Sequence, residues 1–140
     1  EFCKMSKYFA WTHKIGMALA SGMRKSLGFL LHINNNHWIA IVLNFMHSQI
    51  LVGDSFQHNL DPAVLDILSW WTHHHTSCTF TTTILPTTVQ HNIFSCGVLA
   101  FNALAHYFLP AKYNLINSNA IRDERLRVLL EVVKHHSDQV

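Results

Sequence analysis

The sequence has few cysteines and little charge, and each shortage excludes a class of protein. Its cysteines, Cys3, Cys78 and Cys96, are three in number, lie far apart and form no C-x-x-C pair. A disulfide framework is therefore not expected, and the pattern favours a reducing, intracellular compartment, nucleus or cytoplasm. Charged residues make up 13% of the 140 residues and hydrophobic ones 49%. This composition excludes disorder as the main state, since ample apolar surface is available for a core.

The sequence also lacks a strong net charge and a long apolar run. The formal charge is +2 with histidine neutral, too small to indicate binding to a nucleic acid or a membrane surface. Apolar runs such as residues 39–43 are far shorter than the about 18 residues needed to span a bilayer. We therefore expect neither nucleic acid nor membrane as a partner, and the oligomeric state stays open. The low charge leaves open that residues 1–140 are a piece of a longer chain.

With no repeat and no linker, residues 1–140 are predicted to form one domain of class α+β. Periodicity and turn residues predict helices at residues 8–25, 61–75, 96–109 and 118–136, and strands at residues 28–33, 37–45, 49–54 and 77–85. This order favours a small, mostly antiparallel sheet packed against helices. In the last helix we expect one apolar face to point inward, formed by Ile121, Leu126, Leu129, Leu130 and Val133.

Cys96 is the residue with the clearest chemical potential. It stands at the start of a predicted apolar helix, where backbone N–H groups and the helix dipole favour a thiolate. Gly97 follows and leaves room for a substrate beside the sulfur. The alternative is an ordinary buried cysteine.

His37 and Asp54 are expected to meet in space. His37 opens one predicted strand and Asp54 closes the next. In a hairpin, the start of the first strand lies beside the end of the second, so the carboxylate could orient the imidazole. With Cys96 this gives a nucleophile, a base and an orienting group. The alternatives are a buried structural histidine and a turn-forming aspartate.

Gln90, on the polar loop before Cys96, could donate a hydrogen bond to a developing oxyanion together with the Cys96 N–H. Simple solvation of a loop glutamine is the alternative.

The ordered motifs His37-Trp38, Asp54-Ser55 and Gln90-x-Asn92-x-x-x-Cys96-Gly97-Val98 resemble the SUMO/sentrin-specific cysteine proteases, the ubiquitin-like-protein-specific family related in fold to the adenovirus protease. The resemblance implies a papain-like fold with the nucleophile at a helix N-terminus. It implies Cys96 as nucleophile, His37 as base, Asp54 as orienting group and Gln90 in the oxyanion hole.

The resemblance also implies that Trp38 helps to cover a narrow channel for a Gly-Gly tail, and that Asn92 matches a structural position of the loop before the cysteine. Trp38, Asn92 and Gly97 are the candidate substrate-binding residues. The implied activity is hydrolysis of a peptide or isopeptide bond after the C-terminal glycine of a ubiquitin-like modifier, with no metal or cofactor. The chain departs from the family pattern at Ser95, where aspartate is usual, and at Ile93, where glycine is usual. It also has only 36 residues before His37.

Three alternatives to the protease stay open. The same fold could bind a ubiquitin-like protein without cutting it, or serve as an acetyltransferase. A zinc-binding interaction domain would use the run His73, His74 and His75 with Cys78. Consecutive residues on a helix point about 100° apart, so the run cannot by itself surround one ion.

Overall fold

The structure, a computed structural model, describes residues 7–138, with side chains from residue 10 onward. The helices are α1 (Lys7–Ala20), α2 (Pro62–Thr76), α3 (Cys96–Phe108) and α4 (Ile121–Asp138), and a 3-10 turn, Ser118–Ala120, precedes α4. The strands are β1 (Ser26–Ile33), β2 (His37–Asn44), β3 (Gln49–Gly53) and β4 (Thr81–Ile84). Cys3 lies outside the described residues.

The four strands form one sheet in the order β1-β2-β3-β4. Short turns join β1 to β2 and β2 to β3, so both pairs are antiparallel. The β3–β4 pair is parallel, because the Thr81 N–H donates to the Ser48 carbonyl and the Leu85 N–H to the Val52 carbonyl, each at 3.0 Å. The sheet is therefore mixed and mostly antiparallel, which confirms the expected α+β class.

Local residue preferences explain the turn between β1 and β2 and the start of α2. Asn34 and Asn35 have positive φ angles of 52° and 59°, the turn geometry that asparagine tolerates best, and they close the β1–β2 hairpin. Asp61 caps α2 by accepting a hydrogen bond from the Ala63 N–H at 2.8 Å, with Pro62 opening the helix as predicted.

Most boundaries shift by one to three residues from the sequence prediction, and two elements are clearly shorter than predicted. Helix α1 ends at Ala20 instead of continuing to residue 25, because Gly22 adopts a φ of +81° that a right-handed helix excludes. The strand expected over residues 77–85 is confined to Thr81–Ile84. Threonine-rich sequence favours an extended chain but does not show where pairing begins.

The described residues fall into two compact units. The first takes its described residues from 7–28, Val42–Leu51 and Asn59–Thr83, and the second from Phe29–Ile41, Val52–His58 and 84–138. The assignment of all 140 residues to one catalytic domain stays a prediction.

In the first unit, aromatic rings pack beside helix α2. Phe45 meets Phe80 and Trp71 edge to face, with ring centroids 5.1 and 6.1 Å apart. Leu19 of α1 and Ile50 of β3 are buried. Each such aliphatic side chain contributes about 1.5–3 kcal/mol when it is fully removed from water.

In the second unit, the core lies under the first half of β2 and along α3. Ile39, Ile41, Leu85, Leu99 and Ala103 are almost completely buried. This core holds the first turn of α3 in place, and that turn carries Cys96.

The expectation for the last helix is wrong at four of five positions. Only Ile121 is buried, whereas the side chains expected to join it are 53–68% exposed, namely Leu126, Leu129, Leu130 and Val133. An apolar stripe shows which side of a helix can pack, but not that another element reaches it. None of the described helices is both long and apolar enough to cross a membrane.

Candidate functional site

His37 and Asp54 form a buried pair in the second unit. Nε2 of His37 lies 2.7 Å from Oδ1 of Asp54, and the two residues are 7% and 9% exposed. The hairpin geometry explains this placement, since His37 begins β2 and Asp54 directly follows β3. A carboxylate accepts hydrogen bonds only, so Nε2 carries the proton and Nδ1 is the ring nitrogen left to act as a base.

The turn after β3 fixes the carboxylate. Oδ1 of Asp54 also accepts a hydrogen bond from the Phe56 N–H at 2.8 Å, and the Gln57 N–H donates to the Asp54 carbonyl at 2.9 Å. Gln57 has a φ of +60°, which completes this tight turn. The Phe56 ring stacks on the His37 ring with centroids 4.9 Å apart. Both members of the pair are therefore held from more than one side.

Gln90 is held by the same turn. The Ser55 hydroxyl donates to Oε1 of Gln90 at 2.6 Å, and the Gln90 N–H donates to the Ser55 carbonyl at 2.8 Å. Nε2 of Gln90 donates to the carbonyl of Asn92. A primary amide has two N–H groups, so one hydrogen of Nε2 is left for another acceptor.

Cys96 begins α3 and is 6% exposed. Its N–H belongs to the first turn of the helix, where backbone donors have no partner within the helix. A Cβ built on Gly97 would lie 3.7 Å from Cδ1 of Trp38. The residues that follow Cys96 and His37 in the chain are thus neighbours, which places the start of α3 beside the start of β2.

Trp38 is 40% exposed and lies beside Gly97. Its ring also meets the His32 ring, with centroids 4.6 Å apart. Asn92 shapes its own loop, because its Oδ1 accepts a hydrogen bond from the Phe94 N–H at 3.0 Å. The substrate-binding roles of Trp38, Asn92 and Gly97 stay predictions.

Ser95, which stands where the resembling family usually has aspartate, is fully buried. It is the N-cap residue of α3 but its side chain makes no capping hydrogen bond. Its Oγ has no hydrogen-bond partner among the described residues.

Three contacts near the pair were not expected from the sequence. These are the Ser55 hydrogen bond to Gln90, the Phe56 ring on His37, and Nδ1 of His58 at 3.8 Å from Oδ2 of Asp54. All three residues directly follow Asp54 or lie within one turn of it. Their closeness to Asp54 in the sequence could have indicated a contact with the pair, but the sequence does not show which way their side chains point.

The residues weighed as ligands in the zinc-binding alternative do not form one group among the described residues. His74 and His75 lie near His13 of α1, while His73 is not part of that group. Cys78 is exposed and free.

Comparisons with solved structures identify the fold. No protein-family model matches the sequence, and no curated protein matches it either. The chain is similar to the SUMO protease Ulp1 with its catalytic cysteine oxidised to a sulfonic acid (TM-score 0.57, 17% identity) or to a sulfenic acid (0.59, 16%), and to the C-terminal Ulp1 protease domain in complex with Smt3, the yeast orthologue of SUMO (0.58, 16%).

The alignments cover 86%, 87% and 88% of this chain. The chain spans 64% of the length of the first two solved chains and 59% of the third. The likeness confirms the fold expected from the motifs. This chain folds as the SUMO protease domain of Ulp1 does.

Proposed function

We propose that the protein is a cysteine protease or isopeptidase that cleaves after the C-terminal glycine of a SUMO-like modifier. The observation that carries the proposal is the buried contact of 2.7 Å between His37 and Asp54, in the fold of a protease whose solved structures name a catalytic cysteine. A histidine paired to a carboxylate at one ring nitrogen has the other nitrogen available as a general base.

In this proposal, His37 takes the proton of the Cys96 thiol, and the thiolate attacks the carbonyl carbon of the terminal glycine. The carbonyl oxygen becomes an oxyanion, which the Cys96 N–H and the free amide hydrogen of Gln90 stabilise. When the C–N bond breaks, the imidazolium of His37 protonates the departing amine, and a thioester remains on Cys96. His37 then deprotonates a water molecule, which attacks the thioester and releases the modifier's carboxylate and the thiol.

The burial of Cys96 supports a substrate that ends in glycine. Cys96 is only 6% exposed, so a substrate with a bulky side chain next to the scissile bond would meet steric hindrance at the thiol. Terminal glycines carry no side chain and avoid that hindrance, and Trp38, which lies beside Gly97, is the residue placed to cover them. The Smt3 complex of the Ulp1 domain supports a ubiquitin-like protein as the partner.

The test is turnover of a SUMO protein with a fluorogenic amine on its C-terminal glycine. We expect saturable release of the fluorophore, and at least about 10³-fold less with Cys96→Ala. Cys78→Ala, which removes an exposed cysteine, is the matched control and should keep the wild-type rate. The same reporter on ubiquitin tests the modifier class. Binding of SUMO without any turnover would overturn the proposal in favour of a binding module.

A further inference from the structure

Three histidines meet between α1 and α2 in the first unit. His13 comes from α1, and His74 and His75 come from α2, and one ring nitrogen of each lies within 4.8 Å of the others. We call this group the histidine cluster. The His13 ring centroid is 6.3 Å from that of His74 and 5.2 Å from that of His75. His74 and His75 are consecutive on α2 and cannot surround an ion by themselves. The imidazole of His13 supplies a third donor from another direction.

Aromatic neighbours contact two of these rings. Trp70 stacks on His74 with centroids 5.5 Å apart, and Trp71 meets His75 edge to face at 5.0 Å. A Cβ on Gly16 would lie 2.2 Å from Nε2 of His75. The glycine is therefore needed for the His75 ring to lie against α1, although it weakens the helix itself.

The surroundings of the His75 ring disfavour its charged form. Burial lowers the pKa of His75 from its ordinary value of 6.5, and the neighbouring His74 and His13 lower it further. Packing alone does not account for a polar ring here, since Nε2 of His75 is buried and has no hydrogen-bond partner among the described residues.

We propose that the histidine cluster is a binding site for one zinc-class divalent ion that links α1 to α2. Three imidazole donors suit zinc, nickel, cobalt or copper and do not suit calcium or magnesium. Zinc–nitrogen bonds of about 2.1 Å put tetrahedral ligand nitrogens about 3.4 Å apart. The donors must therefore close by up to about 1.4 Å from their present limit of 4.8 Å, and small side-chain rotations on both helices provide that movement.

Three protein ligands leave the fourth position of a tetrahedral ion to water. The histidine cluster includes none of the proposed catalytic residues, so a test of metal binding is independent of a test of protease activity.

The test is titration of the full chain with Co²⁺, followed by competition with Zn²⁺. Replacing Cys3, Cys78 and Cys96 by serine removes thiolate ligands beforehand. We expect binding of one ion per chain, with the visible absorption of tetrahedral cobalt, quenching of tryptophan fluorescence and a higher melting temperature with Zn²⁺.

His13→Ala and His74→Ala should each weaken metal binding by more than about tenfold. Loss of a residue that only hydrogen-bonds to a metal ligand typically lowers metal affinity 10–100-fold, and loss of a ligand itself should cost at least as much. His73→Ala is the matched control, since it removes a histidine of the same run that is not part of the cluster, and it should bind as wild type does. His74 is exposed, so its variant is expected to fold, which circular dichroism checks. No saturable binding, or equal affinity in the His74→Ala and His73→Ala variants, would overturn the proposal.

Discussion

The hydroxyl of Ser55 donates a hydrogen bond to Oε1 of Gln90 across 2.6 Å, and both side chains are buried. Ser55 directly follows Asp54, the residue that contacts His37. The group proposed to orient the base and the group proposed to hold the oxyanion are therefore connected through one turn. This connection fixes which side of the Gln90 amide carries its hydrogens.

Ser55→Ala tests that connection. The variant leaves Oε1 of Gln90 buried without its donor, which should lower the free energy of unfolding by about 1–3 kcal/mol. The rate constant for turnover should fall by up to about 10²-fold, because the amide is no longer oriented. Denaturant unfolding and kcat on the fluorogenic substrate measure the two effects.

Gln90→Ala provides the control for the Ser55 effect. In that background, Ser55→Ala should change kcat very little, since the two residues act through one amide. Equal losses of kcat with and without Gln90 would contradict the orienting role.

Asp54→Asn tests the base. An asparagine amide can donate to Nε2 of His37, which would place the imidazole proton on Nδ1 and remove the base. We expect kcat/KM to fall by about 10²-fold or more. The free energy of unfolding should also fall, by about 1–3 kcal/mol, because the amide nitrogen would take the place of Oδ1 and could not accept from the Phe56 N–H. Asp66→Asn, on the exposed surface of α2, is the control and should keep full activity. Near-wild-type turnover by Asp54→Asn would remove Asp54 from the mechanism.

Gly97→Ala separates access to the thiol from stability. The added Cβ would stand 3.7 Å from the Trp38 ring, an ordinary contact, and alanine favours a helix by up to about 1 kcal/mol over glycine. The variant should therefore fold at least as stably as wild type while kcat/KM falls, since the methyl group narrows the approach to Cys96. Thermal unfolding and steady-state kinetics check both parts. Unchanged kcat/KM would mean that the substrate does not pass Gly97.

Stability should fall on mild acidification because of His75. Burial and the neighbouring imidazoles lower its pKa in the folded protein, whereas the unfolded chain titrates near 6.5. The unfolded state then binds more protons between the folded pKa and about 6.5. The contribution of a neutral His75 is present above about pH 6.5 and is lost as the pH falls toward the folded value.

Unfolding free energies across pH, measured with a chelator present, test this dependence. His75→Phe keeps an aromatic ring without a titrating group and should flatten the profile in that window. His73→Ala should keep the wild-type slope. If the unfolding free energy of His75→Phe depended on pH as steeply as that of wild type, other titrating groups would be responsible for the loss of stability.

The contact between His37 and Asp54 could be predicted because it depends only on hairpin geometry. Once residues 37–45 and 49–54 are paired strands, the first residue of one and the end of the other must be neighbours. The start of α3 at Cys96 and the capping of α2 by Asp61 were likewise local signals. Each depends on residue types within one turn of the chain.

The histidine cluster and the exposed side of α4 could not be predicted in this way. His13 meets His75 because α1 packs on α2, and residues far apart in sequence give no local signal for that approach. The apolar residues of α4 have helical spacing whether or not another element covers them. Periodicity shows which side of a helix is apolar, but tertiary packing determines whether that side is buried.

The most direct test of the central claim uses a SUMO protein whose C-terminal glycine carries an electrophile that captures a thiolate. Mass spectrometry of the intact protein and of its peptides locates the adduct. We predict one modifier per chain, attached to Cys96, with no adduct in Cys96→Ala, much slower labelling in His37→Ala and unchanged labelling in Cys78→Ala. An adduct on Cys78, or labelling of His37→Ala at the wild-type rate, would contradict the proposal that His37 activates Cys96.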